Sequence, residues 1–269
     1  MKKVDFDNEF KNPGSEYRSI PFWAWNDELD TDEIRRQIRE MKSCGIGGFF
    51  IHSRDGLETE YLSDKWFECV SAAVDEAKKS GMFSWLYDED RWPSGTCGGS
   101  ITATDKNGCK GLTLEVCFSV PEKIEGNVLV LYKAEVHEME IYSLERICNA
   151  DGLILSDKEA LLIARLEVSG KSEWFNNSAP PDNLSFDTVS DFINNTHKIY
   201  KKAVGSEFGK TIPGIFTDEP SLADRHASFN PNRSWIPWTE EFEKYFFEKR
   251  GYDVLDMIPY FYFNGEKSA

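Results

Sequence analysis

Four short apolar runs in this 269-residue chain each stop at side chains able to bind or protonate a ligand. The first stops at Trp23, Trp25 and Asn26, the second at His52, Ser53, Arg54 and Asp55. The third stops at Asp88, Glu89 and Asp90, with Arg91 and Trp92 behind them, and the fourth at Thr217, Asp218 and Glu219. Carboxylates beside flat indole rings suit a neutral polyhydroxylated ligand, because the rings stack on its C–H faces while charged groups hydrogen-bond its hydroxyls. Each residue also has a plainer role open to it. A strand-end carboxylate caps the next helix or pairs with an arginine, His52 is a structural histidine, and Trp23 is core filler. Polar chemistry recurring at the same end of four successive runs favours a shared rim.

The elements that must carry this rim follow from apolar spacing. Residues 21–26 (PFWAWN) read as a strand, and Asp30-Thr31 caps a helix with Ile34, Ile38 and Met41 on one face, stopped at Gly45. Residues 47–52 (GGFFIH) form a strand of the kind buried on both faces in a parallel sheet. Ser63-Asp64 opens a second helix, stopped at Gly81, and residues 82–87 (MFSWLY) form a third strand. This is a right-handed βαβ series. Between about 109 and 170 the pattern changes to β-rich stretches at 112–120, 128–136, 138–143 and 161–168, with poor helical periodicity. They read as a small antiparallel subdomain inserted after the third strand. A long amphipathic helix over 185–204, a fourth strand at 213–217 (PGIFT), a polar loop and a helix at 239–249 complete the pass. The domain reading is residues 1–108 for three βα units, 109–175 for the insert, and 176–269 for the fourth unit and the helices after it.

Composition excludes whole classes. Lys and Arg total 31 against 47 Asp and Glu, a net charge of −16. A nucleic-acid partner needs a basic footprint, which short pairs such as Lys78-Lys79 do not make. No apolar run approaches the roughly 20 residues of a membrane span, and the first fourteen residues lack a signal-peptide core, so the expectation is a cytoplasmic protein without a membrane partner. The six cysteines contain no CxxC pair and read as inert core thiols. Nothing matches GxGxxG or the P-loop, and Gly47-Gly48 and Gly98-Gly99 read as close packing or turns.

Three blocks are recognisable in order: IPFWAWNDELDTDEIRRQIREMKSCGIGGFFIHSRDGLETEYLS, then WLYDEDRWPSGTCGG, then FGKTIPGIFTDEP. Together they resemble glycoside hydrolase family 106, the α-L-rhamnosidases and their relatives, over about residues 20–220. The resemblance implies a (β/α)8 barrel, inverting hydrolysis of a terminal deoxyhexose or related sugar, and a calcium ion near the substrate. Carried onto this sequence, it makes Glu219 the candidate general acid, with Asp218 flanking it as a neighbouring like charge. Trp23, Trp25, Asn26, His52, Arg54, Asp88, Asp90 and Trp92 become the sugar-binding rim. Asp88, Glu89 and Asp90 become the calcium-ligand donors, since calcium takes hard oxygen ligands; hydrogen bonding to sugar hydroxyls or to Arg54 is the alternative for the same turn.

The chain departs from the family in length. Four βα units are legible where a closed TIM-type barrel needs eight. Inversion needs a second carboxylate roughly 6.5–9.5 Å from the acid, and Glu240, Glu241, Glu243 and Glu248 lie in a helical, solvated stretch. The expectation is the first half of such a barrel, with its base missing and with open edges that favour a homo-oligomer. The alternatives are a non-catalytic carbohydrate-binding protein and a truncated barrel remnant.

Overall fold

The computed structural model describes residues 6–222 and 227–266. In chain order the first elements are α1 (Phe6–Lys11), β1 (Phe22–Trp25), α2 (Thr31–Ser43), β2 (Gly48–Ser53), α3 (Asp64–Ser80) and β3 (Phe83–Tyr87). Next come β4 (Lys110–Cys117), β5 (Val128–His137), β6 (Glu140–Ile147) and β7 (Glu159–Val168). The chain ends through α4 (Phe186–Asn195), α5 (His197–Val204), β8 (Ile215–Phe216), β9 (Ser234–Trp238), α6 (Phe242–Arg250) and β10 (Asn264–Gly265). It divides into two compact units, Met1–Ser100 with Ser190–Pro220, and Ile101–Val189 with Ser221–Ala269.

The first unit is mixed α/β, built on a four-stranded parallel sheet in the order β1-β2-β3-β8. Local chemistry fixes its helices. The Asp30 carboxylate accepts the backbone N–H groups of Asp32 and Glu33, both at 2.9 Å, and Ser63 Oγ accepts that of Trp66 at 3.2 Å. Gly81 ends α3 at φ +62°, a conformation that costs glycine little. Gly48 answers a close approach instead, since a Cβ there would lie 2.6 Å from the Phe83 carbonyl oxygen.

Strand alternation gives this sheet two faces. Trp23, Trp25, Phe49, Ile51, Leu86 and Ile215 pack against Ile34 and Ile38 of α2, Trp66 and Val70 of α3, and Tyr200 of α5. The other face carries a run of rings: Phe22 meets Phe50, His52, Tyr87 and Phe216 at centroid distances of 4.9–6.3 Å. Trp85 lies 5.2 Å from Phe50 on the same face.

The second unit is a six-stranded sheet in the order β10-β6-β5-β7-β4-β9, antiparallel except for the short β10–β6 pair. On one face Leu112, Tyr132, Leu162 and Leu166 pack with Trp238, Val254 and Ile258. On the other, Leu131, Leu161 and Ile163 are covered by Val120, Ile124, Ile147 and Leu153. Two elements differ from the sequence reading. Residues 234–238, read as part of a polar loop, form β9 on β4, with Leu112 opposite Ile236. The helix read as continuous over 185–204 breaks at Thr196, whose hydroxyl bonds back to the Phe192 carbonyl and bends the chain there.

Cys69, Cys97 and Cys109 are buried as a core reading requires, but Cys44 and Cys148 are exposed. No helix among the described residues is long and apolar enough to cross a membrane.

Candidate active site

The C-terminal ends of β3 and β8 lie side by side because Leu86 pairs with Ile215 and Tyr87 with Phe216. The next residues on each strand are Asp88-Glu89-Asp90 and Thr217-Asp218-Glu219. Asp88 is fully buried. One carboxylate oxygen accepts the Ser94 hydroxyl at 2.6 Å; the other accepts the Thr217 hydroxyl at 2.6 Å and lies 3.1 Å from His197 Nε2. One anion thus ties together β3, the loop after it, β8 and the first residue of α5. His197 Nδ1 is buried without a partner, which assigns the hydrogen to Nε2 in the neutral ring.

Asp218 is clamped on three atoms. Tyr87 Oη donates to its carboxylate at 2.7 Å, Ser94 Oγ accepts its backbone N–H at 2.9 Å, and its carbonyl accepts the Ser94 N–H at 2.8 Å. Burial, then the bond to Asp218, raises the Tyr87 phenol far above its ordinary value, so it stays a donor. Glu219 is exposed and its Oε2 accepts the Trp92 indole N–H at 2.9 Å. Its backbone sits at φ +42°, in the left-handed region that a non-glycine residue occupies at a cost of about 1–3 kcal/mol. Tyr87, Ser94, Thr217 and His197 hold the two acids, and the sequence reading assigned no role to Tyr87, Ser94 or His197. Their signal was topological: Tyr87 and Ser94 reach Asp218 once β3 and β8 are neighbours, and His197 reaches Asp88 once α5 packs beside β3.

No family model matches the chain, and no curated protein matches it. Among solved structures, the rhamnosidase from Novosphingobium sp. PP1Y is similar, with a TM-score of 0.56 and 12% sequence identity. The match covers 96% of this chain and 42% of that one, so this chain spans less than half the length of that rhamnosidase. The likeness is one of fold: this chain has a rhamnosidase-like fold.

Against that fold, the sequence-read rim divides. His52 lies on the ring-bearing face, 4.0 Å from the Tyr87 ring. Arg54 and Asp90 line an open groove of about 300 Å³ with Asp55, Tyr61 and Arg91. Arg91 reaches Asp55 at 3.0 Å and Asp90 at 3.9 Å, and the Asp90 carboxylate accepts the Ser53 hydroxyl. Asn26 is exposed at the end of β1. Trp23 and Trp25 are elsewhere. Alternation turns both to the helix-covered face, where Trp23 donates to Gln37 at 2.9 Å and Trp25 packs edge-on against Trp66. They are core residues.

The calcium reading fails on donor chemistry. A calcium ligand needs unclaimed lone pairs, yet the Glu89 oxygens accept five backbone N–H groups and Asp88 is taken by two hydroxyls and an imidazole. Among the described residues no group of three acids, histidines or cysteines is placed to hold a metal. Asp88 and Glu89 do not fit the ion.

Burial, reinforced by the Arg54 charge, holds His52 down to about 4, against an ordinary 6.5. The native state therefore resists protonating it. Its contribution is complete above pH 6.5 and is lost as pH falls through 4, at a cost of about 3 kcal/mol. The difference in unfolding free energy between the wild type and His52→Gln, measured from pH 7 to 4, is expected to shrink by that amount; a flat difference would disprove it.

Proposed function

We propose that this chain is the N-terminal part of a family 106-like α-L-rhamnosidase, its parallel-sheet unit supplying the first four strands of a (β/α)8 barrel and its antiparallel unit built from the segment inserted after β3 together with residues 221–269. The observation that carries the reading is the Glu219 carboxylate at the end of the fourth parallel strand, with one oxygen fixed by an indole N–H. Ligands of parallel α/β sheets gather at these strand ends, and the rhamnosidase-like fold supports the assignment by analogy. Because Trp92 occupies Oε2, Oε1 is the oxygen that carries the transferable proton. In the inverting reaction that proton passes to the glycosidic oxygen as the C–O bond breaks, while a base removes a proton from the attacking water. Asp218 accepts the Tyr87 hydroxyl, Asp88 has three partners, Glu89 accepts five backbone N–H groups and Asp90 accepts the Ser53 hydroxyl. On the family reading the base is assigned to further βα units of the barrel, and the ring-bearing face of the sheet is the surface that such units, or a second copy of this chain, would cover.

Calorimetric titration with phenyl α-L-rhamnoside tests the sugar assignment. Saturable binding is expected, weakened at least tenfold in Trp92→Ala. If the wild-type chain binds no monosaccharide glycoside at millimolar concentration, the reading is wrong.

A further inference from the structure

Among the described residues of the parallel-sheet unit, Glu89 is the most heavily bonded carboxylate, and its five hydrogen-bond donors are all main-chain N–H groups. Its Oε1 accepts the N–H groups of Asp90 at 2.9 Å and Gly98 at 2.5 Å; its Oε2 accepts those of Gly95 at 2.9 Å, Thr96 at 2.6 Å and Cys97 at 2.9 Å. Only 1% of the residue is exposed. Burial pushes its carboxyl up to about 7 while the backbone donors oppose the rise. Those donors fit the ionised form, because a protonated oxygen would point its hydrogen at theirs.

The loop pays for this arrangement in backbone conformation. Successive N–H groups converge on one anion where the backbone turns through the left-handed region, as in anion-binding nests. Gly95 stands at φ +132°, Cys97 at +55° and Gly98 at +65°. Cys97 is not glycine and takes that conformation at a cost. Four of the five N–H groups that reach Glu89 come from this run, residues 95–98.

The same loop carries the two side chains that hold the candidate acid pair: Trp92 bonds Glu219, and Ser94 bonds Asp218 through its N–H and its hydroxyl. We propose that Glu89 is a positioning residue, an internal anion that shapes residues 90–98 and through them sets Trp92 against Glu219 and Ser94 against Asp218. The importance of that setting rests on the glycosidase reading of Glu219; the cradle itself does not. A second consequence follows from the donor geometry. With the side chain removed, the cradle is a vacant site for a small carboxylate.

Amide hydrogen exchange in the whole chain tests this without any sugar or turnover. In Glu89→Ala the amides of residues 95–98 are expected to exchange at least 100-fold faster than in the wild type. Sodium formate should restore at least tenfold of that protection, and sodium chloride at equal ionic strength should not. Glu89→Gln keeps the size and one acceptor oxygen, so it should lose part of the protection and gain nothing from formate. If Glu89→Ala does not fold alone, recovery of its native circular dichroism in formate but not chloride supports the proposal. Unchanged protection in both variants, equal rescue by chloride, or failure of formate to restore either signal overturns it. A chain that passes this test and binds no sugar would keep the cradle and lose the glycosidase.

Discussion

Glu219→Gln is expected to lower azide-supported cleavage of phenyl α-L-rhamnoside by 100-fold or more. On the proposed reading the catalytic base lies outside the carboxylates described beside Glu219. Without a carboxylate to activate water, the chain should hydrolyse the glycoside negligibly in buffer. Azide needs no deprotonation, so it can attack the anomeric carbon from the face opposite the leaving group. The C–O bond breaks, the Glu219 proton goes to the departing phenolic oxygen, and the product is a glycosyl azide of inverted configuration. General acid assistance contributes about 10²- to 10⁴-fold, and glutamine cannot supply it. The test is phenol release with and without azide, with the anomeric configuration read by NMR. Efficient hydrolysis without azide, lost in Glu219→Gln, would show that the base is present after all. Azide-supported cleavage that persists in Glu219→Gln would remove Glu219 from the role of acid.

The second large effect is on stability. Asp88→Asn replaces a buried acceptor of three donors with an amide whose NH₂ must face one of them. Removing one partner of a buried charged network leaves the others desolvated and unpaired, which costs roughly 3 kcal/mol. The melting temperature should fall by about 10 °C. Thr217→Val removes a single donor and should cost about 1 kcal/mol, with non-additive behaviour when the two are combined. A loss below 1 kcal/mol in Asp88→Asn, by denaturant unfolding, would mean that the four elements are not held together through this carboxylate.

The legible parts of the fold were those written in local chemistry. Asp30 and Ser63 cap their helices as their residue types announce, and Gly81 and Gly251 end helices in the left-handed region. The three leading strands fall within a residue or two of the apolar runs that predicted them. β9 was hidden because Pro237 argues against a ladder position, yet β9 is an edge strand, where a missing N–H costs nothing. The break at Thr196 was hidden because apolar spacing continues across it, and only the hydroxyl's bond to the Phe192 carbonyl reveals the bend.

The surroundings of the candidate site were less legible than its strand-end position. Strand-end position picked out Asp218, Glu219 and the DED turn, but it does not say which way a side chain faces. Trp23 and Trp25 were therefore assigned to a rim when alternation sends them into the helix layer. Glu89 was read as a metal donor because residue type alone cannot show that five backbone N–H groups have already claimed its lone pairs. His197 was missed because a histidine inside an amphipathic helix carries no signal until the helix breaks beside it.

The route of the chain between the two units has a consequence in time. The backbone leaves the parallel-sheet unit after Ser100 and re-enters it only at Ser190. Asp88 is thus synthesised 129 residues before Thr217, the neighbour on β8 that it binds. At translation rates of about 5–20 residues per second, that interval is on the order of ten seconds. Closing so long a loop adds only a logarithmic entropy cost, so the burden falls on waiting more than on equilibrium stability. During that wait β3 has a bare edge, and the DED turn lacks the strand that completes its surroundings. The last segment to arrive is the one that carries Glu219. In a growing chain the candidate acid pair is the final part of its unit to be assembled.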